Sequence, residues 1–270
     1  MACRDTLKVN TSNTEIQAAV PARAGGAAQP SALYAGTMYF GVDSLTRADT
    51  VLQNNLTLFQ WVARNKLVPN YWGRAINGEN AVTLEEIDFL HRMGCKVACL
   101  YSGDNQAVNL EAHGAIDGKK AVIAAVELGI PAGTAIFLEV KAGVTDAYLK
   151  GYASALLSDG YTPGFCADTD SSNDFDHQFS RGQQKDPETF GKCLLWAVSP
   201  SLPEYYRTND SHQIHPDAWA PHCPSGMTQN QVAVWQYGRE CHPINDYAGR
   251  PTSFDISIVK DPSVVLNRMF

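Results

Sequence analysis

Short apolar runs rich in β-branched and aromatic residues recur along the chain, and between them apolar positions fall at helical intervals. Eight runs read as strands: "MYFGVD", "KLVPNYW", "CKVACLY", "TAIFLEV", "YTPGFCAD", "KCLLWAVS", "QVAVWQYG" and "FDISIV". The intervening stretches carry helix punctuation. Thr46 with Asp49 has capping-box spacing, followed by Leu52, Leu56, Phe59 and Ala63 at helical intervals. Thr83 and Glu86 make a second box before Leu84, Ile87 and Leu90, and Gly94 stops that helix. A long helix runs to Leu128, with Gly129 and Pro131 beyond it, and Thr145 opens another that ends at Gly160.

Strand–helix alternation implies a parallel sheet, and eight repeats imply an α/β fold of the (β/α)8 TIM-like type, with room for irregular strands. An open doubly wound sheet is the structural alternative. Its nucleotide-binding form lacks support, because no G-x-G-x-x-G or P-loop follows the first strand. Residues 1–36 are rich in Ala, Gly, Ser, Thr, Pro and Asn without a period and read as a flexible arm; residues 37–270 read as one barrel domain.

Composition narrows the partners. With 44% hydrophobic and 18% charged residues the chain is globular, and a net charge of −7 gives no footprint for nucleic acid. No apolar run approaches the roughly 20 residues of a membrane span. The N-terminus lacks the apolar core of a Sec signal, so the expectation is either export by a non-Sec route or a leader trimmed from the chain. The cysteines number seven, and four lie in strand-like runs as buried thiols. Cys95 and Cys99, four residues apart on a strand, stand about 13 Å apart and cannot pair. Cys223 and Cys241 remain free to bridge.

Three strands deliver an acid at or near the C-terminal end, the face where such barrels carry their sites: Asp43, Glu139 and Asp168. Carboxylates around a cleft suit glycosidic bond cleavage, one protonating the leaving oxygen and another attacking or activating water. Strand-end acids also cap helices or pair with arginine. Tyr71, Trp72, Tyr101, Trp196, Trp235 and Tyr237 read as strand-end aromatics, able either to stack on sugars or to plug the barrel.

The ordered pieces "MYFGVDS", "YWGR", "LGIPAGTAIFLEV", "LLWAV", "VAVWQYG" and "FDISI" resemble the bacterial glycoside-hydrolase-like TIM-barrel domain, a relative of the family 25 lysozymes, from about residue 37 to about 260. The resemblance implies a barrel and a cell-wall glycan partner, in the lysozyme relatives the peptidoglycan bond after N-acetylmuramic acid, with no cofactor. Matched by position, Asp43 is the family's first-strand acid and Glu139 the first acid of an Asp-x-Glu pair. The second acid, the proton donor in those relatives, falls at Lys141, so either Glu139 or Asp168 takes its role or hydrolysis is lost. Asp43 and Glu139 are the expected catalytic pair with Asp168 in support, and Tyr71, Trp72, Arg74, Tyr101, Lys141, Trp196, Trp235, Gln236 and Tyr237 the expected substrate contacts. A glycan-binding barrel without catalysis is the first alternative.

Two competing motifs are weaker. His212, His215, His222, Cys223, Cys241 and His242 offer zinc-type ligands but no ligand spacing, and a metal-dependent hydrolase is the second alternative. Asp168–Asp176 resembles a calcium loop, but Asn173 replaces its glycine and Phe179 its glutamate. The sequons at Asn55 and Asn209 carry no weight without a secretion signal.

Overall fold

The computed structural model describes residues 39–52, 54–64, 68–104, 110–169, 174–201, 219–241 and 253–270. The expected arm lies outside these residues, as do His212, His215, His242 and Asn209.

Eight strands close into a barrel in sequence order. They are β1 (Tyr39–Asp43), β2 (Tyr71–Ala75), β3 (Lys96–Tyr101), β4 (Ala135–Glu139), β5 (Thr162–Asp168), β6 (Leu194–Val198), β7 (Val232–Cys241) and β8 (Phe254–Val259). Neighbours from β1 to β7 are parallel, whereas β8 runs antiparallel to both β7 and β1. The barrel is therefore TIM-like with one reversed strand. That reversal places the N-terminal end of β8 at the mouth formed by the C-terminal ends of the other seven.

Around the wall lie α1 (Leu58–Arg64), α2 (Leu84–Arg92), α3 (Glu111–Glu127), α4 (Asp146–Ser158), α5 (Asp174–Lys185) and the short α6 (Pro187–Phe190); α7 (Pro262–Val265) follows β8. The period-2 alternation of each strand divides the apolar side chains into two clusters. One fills the barrel, with Tyr39, Tyr71, Leu100, Phe137 and Trp196 among its members. The larger one lies between wall and helices and takes in Trp72, Tyr101, Phe165, Trp235 and Tyr237.

Helix ends follow the sequence signals with two corrections, one being that the Thr83–Glu86 box is one-sided, because the Glu86 carboxylate serves Arg74 and the Ala48 amide. The Thr83 and Thr145 hydroxyls accept from the Glu86 and Tyr148 amides, and α2, α3 and α4 stop before Gly94, Gly129 and Gly160. The first helix, however, starts at Leu58, and Thr46 and Asp49 cap nothing helical. Ahead of it Val51 forms an isolated bridge with Thr57, and Asn55 sits at φ 61°. The working capping box is Thr57 with Gln60, each side chain accepting from the other's amide at 3.0 and 3.1 Å. Asp49 is instead paired with Arg47 at 2.7 Å. Thr57→Ala is expected to cost about 1 kcal/mol, read as a fall in Tm of about 2–4 °C.

Strand β2 also differs from the sequence expectation, starting at Tyr71 rather than near Lys66. Pro69 has no amide to give a parallel ladder, and Asn70 spends its side chain on the Phe40 amide at 3.1 Å. Tyr71 and Trp72 thus open the strand instead of closing it.

Candidate active site at the barrel mouth

Inward-facing residues alternate along β1 as Tyr39, Gly41 and Asp43, so the acid arrives on the interior side at the mouth. Asp255 of β8 is its direct cross-strand partner. Such partners hold their Cβ atoms about 4.5–5.5 Å apart, and like charges in that position repel. Glu139 reaches the same mouth from the end of β4.

The three carboxyl groups are held differently. Asp255 accepts from the Gln236 side chain at 2.6 Å and from the Glu240 amide at 2.6 Å. Glu240 sits at φ 47°, a conformation that side chains rarely adopt, and its amide meets Asp255 from there. Glu139 accepts from the Ser102 hydroxyl, and Asn77 clamps the Ser102 backbone through two hydrogen bonds of 2.9 Å. Asp43 Oδ1 is buried with no hydrogen-bond partner among the described residues. Room for Asp43 comes from Gly73 on β2, where a Cβ would stand 2.6 Å from the Asp43 Cβ and 2.9 Å from the Trp196 ring.

Burial holds the Asp43 carboxyl well above the usual aspartate range, helped by Asp255 and Glu139 and opposed by Arg239. Burial also raises Asp255, while the Glu240 amide, Arg239 and Gln236 pull it down. The Cys166 thiol, beside Glu139 in the register, is pushed up by burial and by the same three acids. An acid raised in the folded state binds more protons there than when unfolded, so its stability contribution is greatest below the unfolded value and is lost as pH rises through the folded one. Accordingly, the Tm of Asp43→Asn is expected to exceed that of the wild type by a margin that widens from pH 4 to pH 7. Calorimetry at several pH values checks this.

The remaining expected residues divide by strand face. Trp196 and Tyr71 lie inside the barrel as a floor beneath the acids, with Trp196 edge-on to Tyr71 and Phe137 at 6.1 and 5.6 Å. Both are fully buried; the Trp196 indole donates to Gln236 at 3.2 Å, and Tyr71 is hydrogen-bonded to Ser257 at 2.8 Å. They plug the barrel and present no open face to a sugar. Trp72, Arg74, Tyr101, Trp235 and Tyr237 point outward into the helix layer: Trp72 meets Phe59, Tyr101 stacks on Tyr152, Arg74 pairs with Glu86, and Trp235 packs against Trp219 and Tyr237. The structure does not bring these five to the mouth, because adjacent strand residues face opposite ways. Gln236 is inside but serves Asp255. Asp168 shares the inward face of Cys166, stands one pleat further out and is exposed at the rim. Lys141 is exposed, with its ammonium donating to the Gly103 carbonyl at 3.2 Å.

The sequence reading did not select Asp255, Ser102, Cys166 or Arg239. Among the described residues no group of three or more His, Cys, Asp or Glu is arranged to hold a metal. Cys223 and Cys241 are both free thiols. Asp174 and Asp176 of the calcium-like segment accept from the Gly143 and Ser225 amides at 3.1 and 2.8 Å.

Comparison with known proteins gives the family of the chain. The profile of the Rv2525c-like, glycoside hydrolase-like domain matches residues 63–247. The chain belongs to that family. An uncharacterised B. stearothermophilus protein superposes with a TM-score of 0.68 at 25% identity, covering 86% of this chain and 100% of its own. The Mycobacterium tuberculosis Tat-secreted protein Rv2525c, in complex with L-tartrate, gives 0.51 at 13% identity over 84% of this chain and 98% of its own. A family 25 glycosyl hydrolase from Bacillus anthracis gives 0.47 at 10% identity, covering 83% and 89%. No curated protein sequence matches the chain.

Proposed function

We propose that the barrel mouth binds and cleaves a bacterial cell-wall glycan of the peptidoglycan type by carboxylate acid–base chemistry. The observation that carries this reading is the Asp43–Asp255 cross-strand pair facing the mouth that Glu139 shares. Two carboxyl groups so placed cannot both ionise cheaply, so the pair stores a proton. That proton supplies what Lys141 cannot, namely general-acid assistance to the leaving sugar oxygen. Glu139, oriented by Ser102, is then the carboxylate that attacks or activates water. Asp168 and Lys141 lie at the rim, where they contact the incoming chain. Support for a substrate outside the cytoplasm comes from the Tat-secreted neighbour.

Lys141 favours a second reading, a barrel that holds the glycan without cutting it. Purified peptidoglycan and chitin oligomers, incubated with the protein across pH 4–7, separate the two. Release of reducing ends supports cleavage; retained binding with no release supports the second reading, and neither release nor binding defeats both.

A further inference from the structure

Outside the barrel wall, Arg74 of β2 and Glu86 of α2 form an ion pair at 2.9 Å, 1% and 0% exposed. A buried pair of this kind repays little of its desolvation cost as net stability, so its value lies in what it holds. The Arg74 guanidinium also donates to the Ser44 carbonyl and, at 2.9 Å, to the Asn80 carbonyl. Glu86 in turn accepts the Ala48 amide at 2.8 Å. Both partners thus grip the segment that leaves β1 directly after Asp43.

Ser44 carries the connection onward. Its hydroxyl donates to the Ser253 carbonyl at 2.7 Å and accepts the Thr46 amide at 3.1 Å. Ser253 lies two residues before Asp255. An unbroken chain of polar contacts therefore runs from α2 through Arg74 and Ser44 to the entry of β8, with Asp43 directly before Ser44 and Asp255 two residues beyond Ser253. The planar guanidinium suits this task because it reaches three acceptors at once in fixed directions, which an ammonium cannot do.

We propose that Arg74, acting through Ser44, is a positioning residue that sets the separation of the Asp43 and Asp255 carboxyl groups. This rests on reading that pair as the proton store of the mouth. A strut serving the fold alone would be felt in melting temperature and nowhere else.

Carbon-detected NMR titration of the Asp43 and Asp255 carboxyls, in wild type, Ser44→Ala and Arg74→Lys, tests the assignment without any glycan. Its outcome is therefore independent of whether the protein cleaves peptidoglycan. Ser44→Ala leaves the Arg74–Glu86 pair in place and removes the bridge to Ser253 together with the local acceptor of the Thr46 amide. In both variants the Asp43 midpoint is expected to fall by about one pH unit, as the two groups move apart and water enters. Coupling between the two titrations should weaken with it. Where cleavage is measurable, kcat should drop while KM holds. Wild-type titration curves in a folded Ser44→Ala would overturn the proposal, and that variant alone decides if Arg74→Lys fails to fold.

Discussion

Glu139→Gln is expected to lower the release of reducing ends from peptidoglycan by about 10²–10⁴-fold, the loss typical of removing a positioned acid or base. The change keeps the side-chain shape and can still accept from Ser102, so the barrel should stay folded with a Tm close to that of the wild type. Asp43→Asn should lose activity to a similar degree and yet melt higher, because it relieves the Asp43–Asp255 repulsion. The contrast is diagnostic. Two acids with equal effects on turnover and different effects on stability would place the strain of the site in the cross-strand pair and leave Glu139 unstrained. Paired turnover and melting curves for the two variants check it.

Gly151→Ala carries the largest expected effect on stability. Helices α3 and α4 approach so closely that a Cβ at Gly151 would stand 2.0 Å from the Glu111 carbonyl oxygen and 2.8 Å from the Ala115 amide. The reciprocal contact is as tight, with a Cβ at Gly114 falling 2.0 Å from the Tyr148 carbonyl oxygen. Backbone atoms inside a helix cannot turn aside as a side chain can, so the two helices must separate. Separation would also pull Tyr148 from Asp117, whose carboxylate accepts from the Tyr148 hydroxyl and, at 2.9 Å, from the Asp104 amide. Those contacts secure the loop after β3, which carries Ser102 and Gly103. A loss of about 3 kcal/mol or more is expected, read in thermal unfolding as a drop of about 6–12 °C. A smaller drop would mean that the helix pair has slack that its packing does not show.

The strands were legible because each is a short apolar run bounded by turn residues, and their number and alternation with helices were enough for the barrel. Strand faces were less so. Asp43 and Glu139 reach the mouth because they end their strands on the inward phase, and the same phase rule applied to "YWGRA" separates Tyr71 and Gly73 from Trp72 and Arg74. Starting that strand five residues too early, at Lys66, hid this. Arg74 carried its own signal, since a guanidinium in a strand packed on both faces needs a buried acid. Its partner Glu86 stood in the sequence as a capping residue, whereas in the fold its carboxylate is turned to Arg74 and the Ala48 amide.

Asp255 was hidden for a different reason. In "FDISIV" it stands near the start of a strand, and a search confined to C-terminal strand ends passes over it. Only the antiparallel direction of β8 brings it to the mouth, and no local pattern in the sequence encodes that direction. Arg239 depends on geometry of the same kind, because it follows the irregular pairing at Gly238 that re-aims the end of β7.

The most direct test of the glycan-cleaving mouth is mass spectrometry of borohydride-reduced products from peptidoglycan treated with wild type and with Asp43→Asn. The account predicts newly reduced saccharide ends with the wild type and almost none with the variant. Intact glycan after wild-type treatment, or equal release by both proteins, would contradict it.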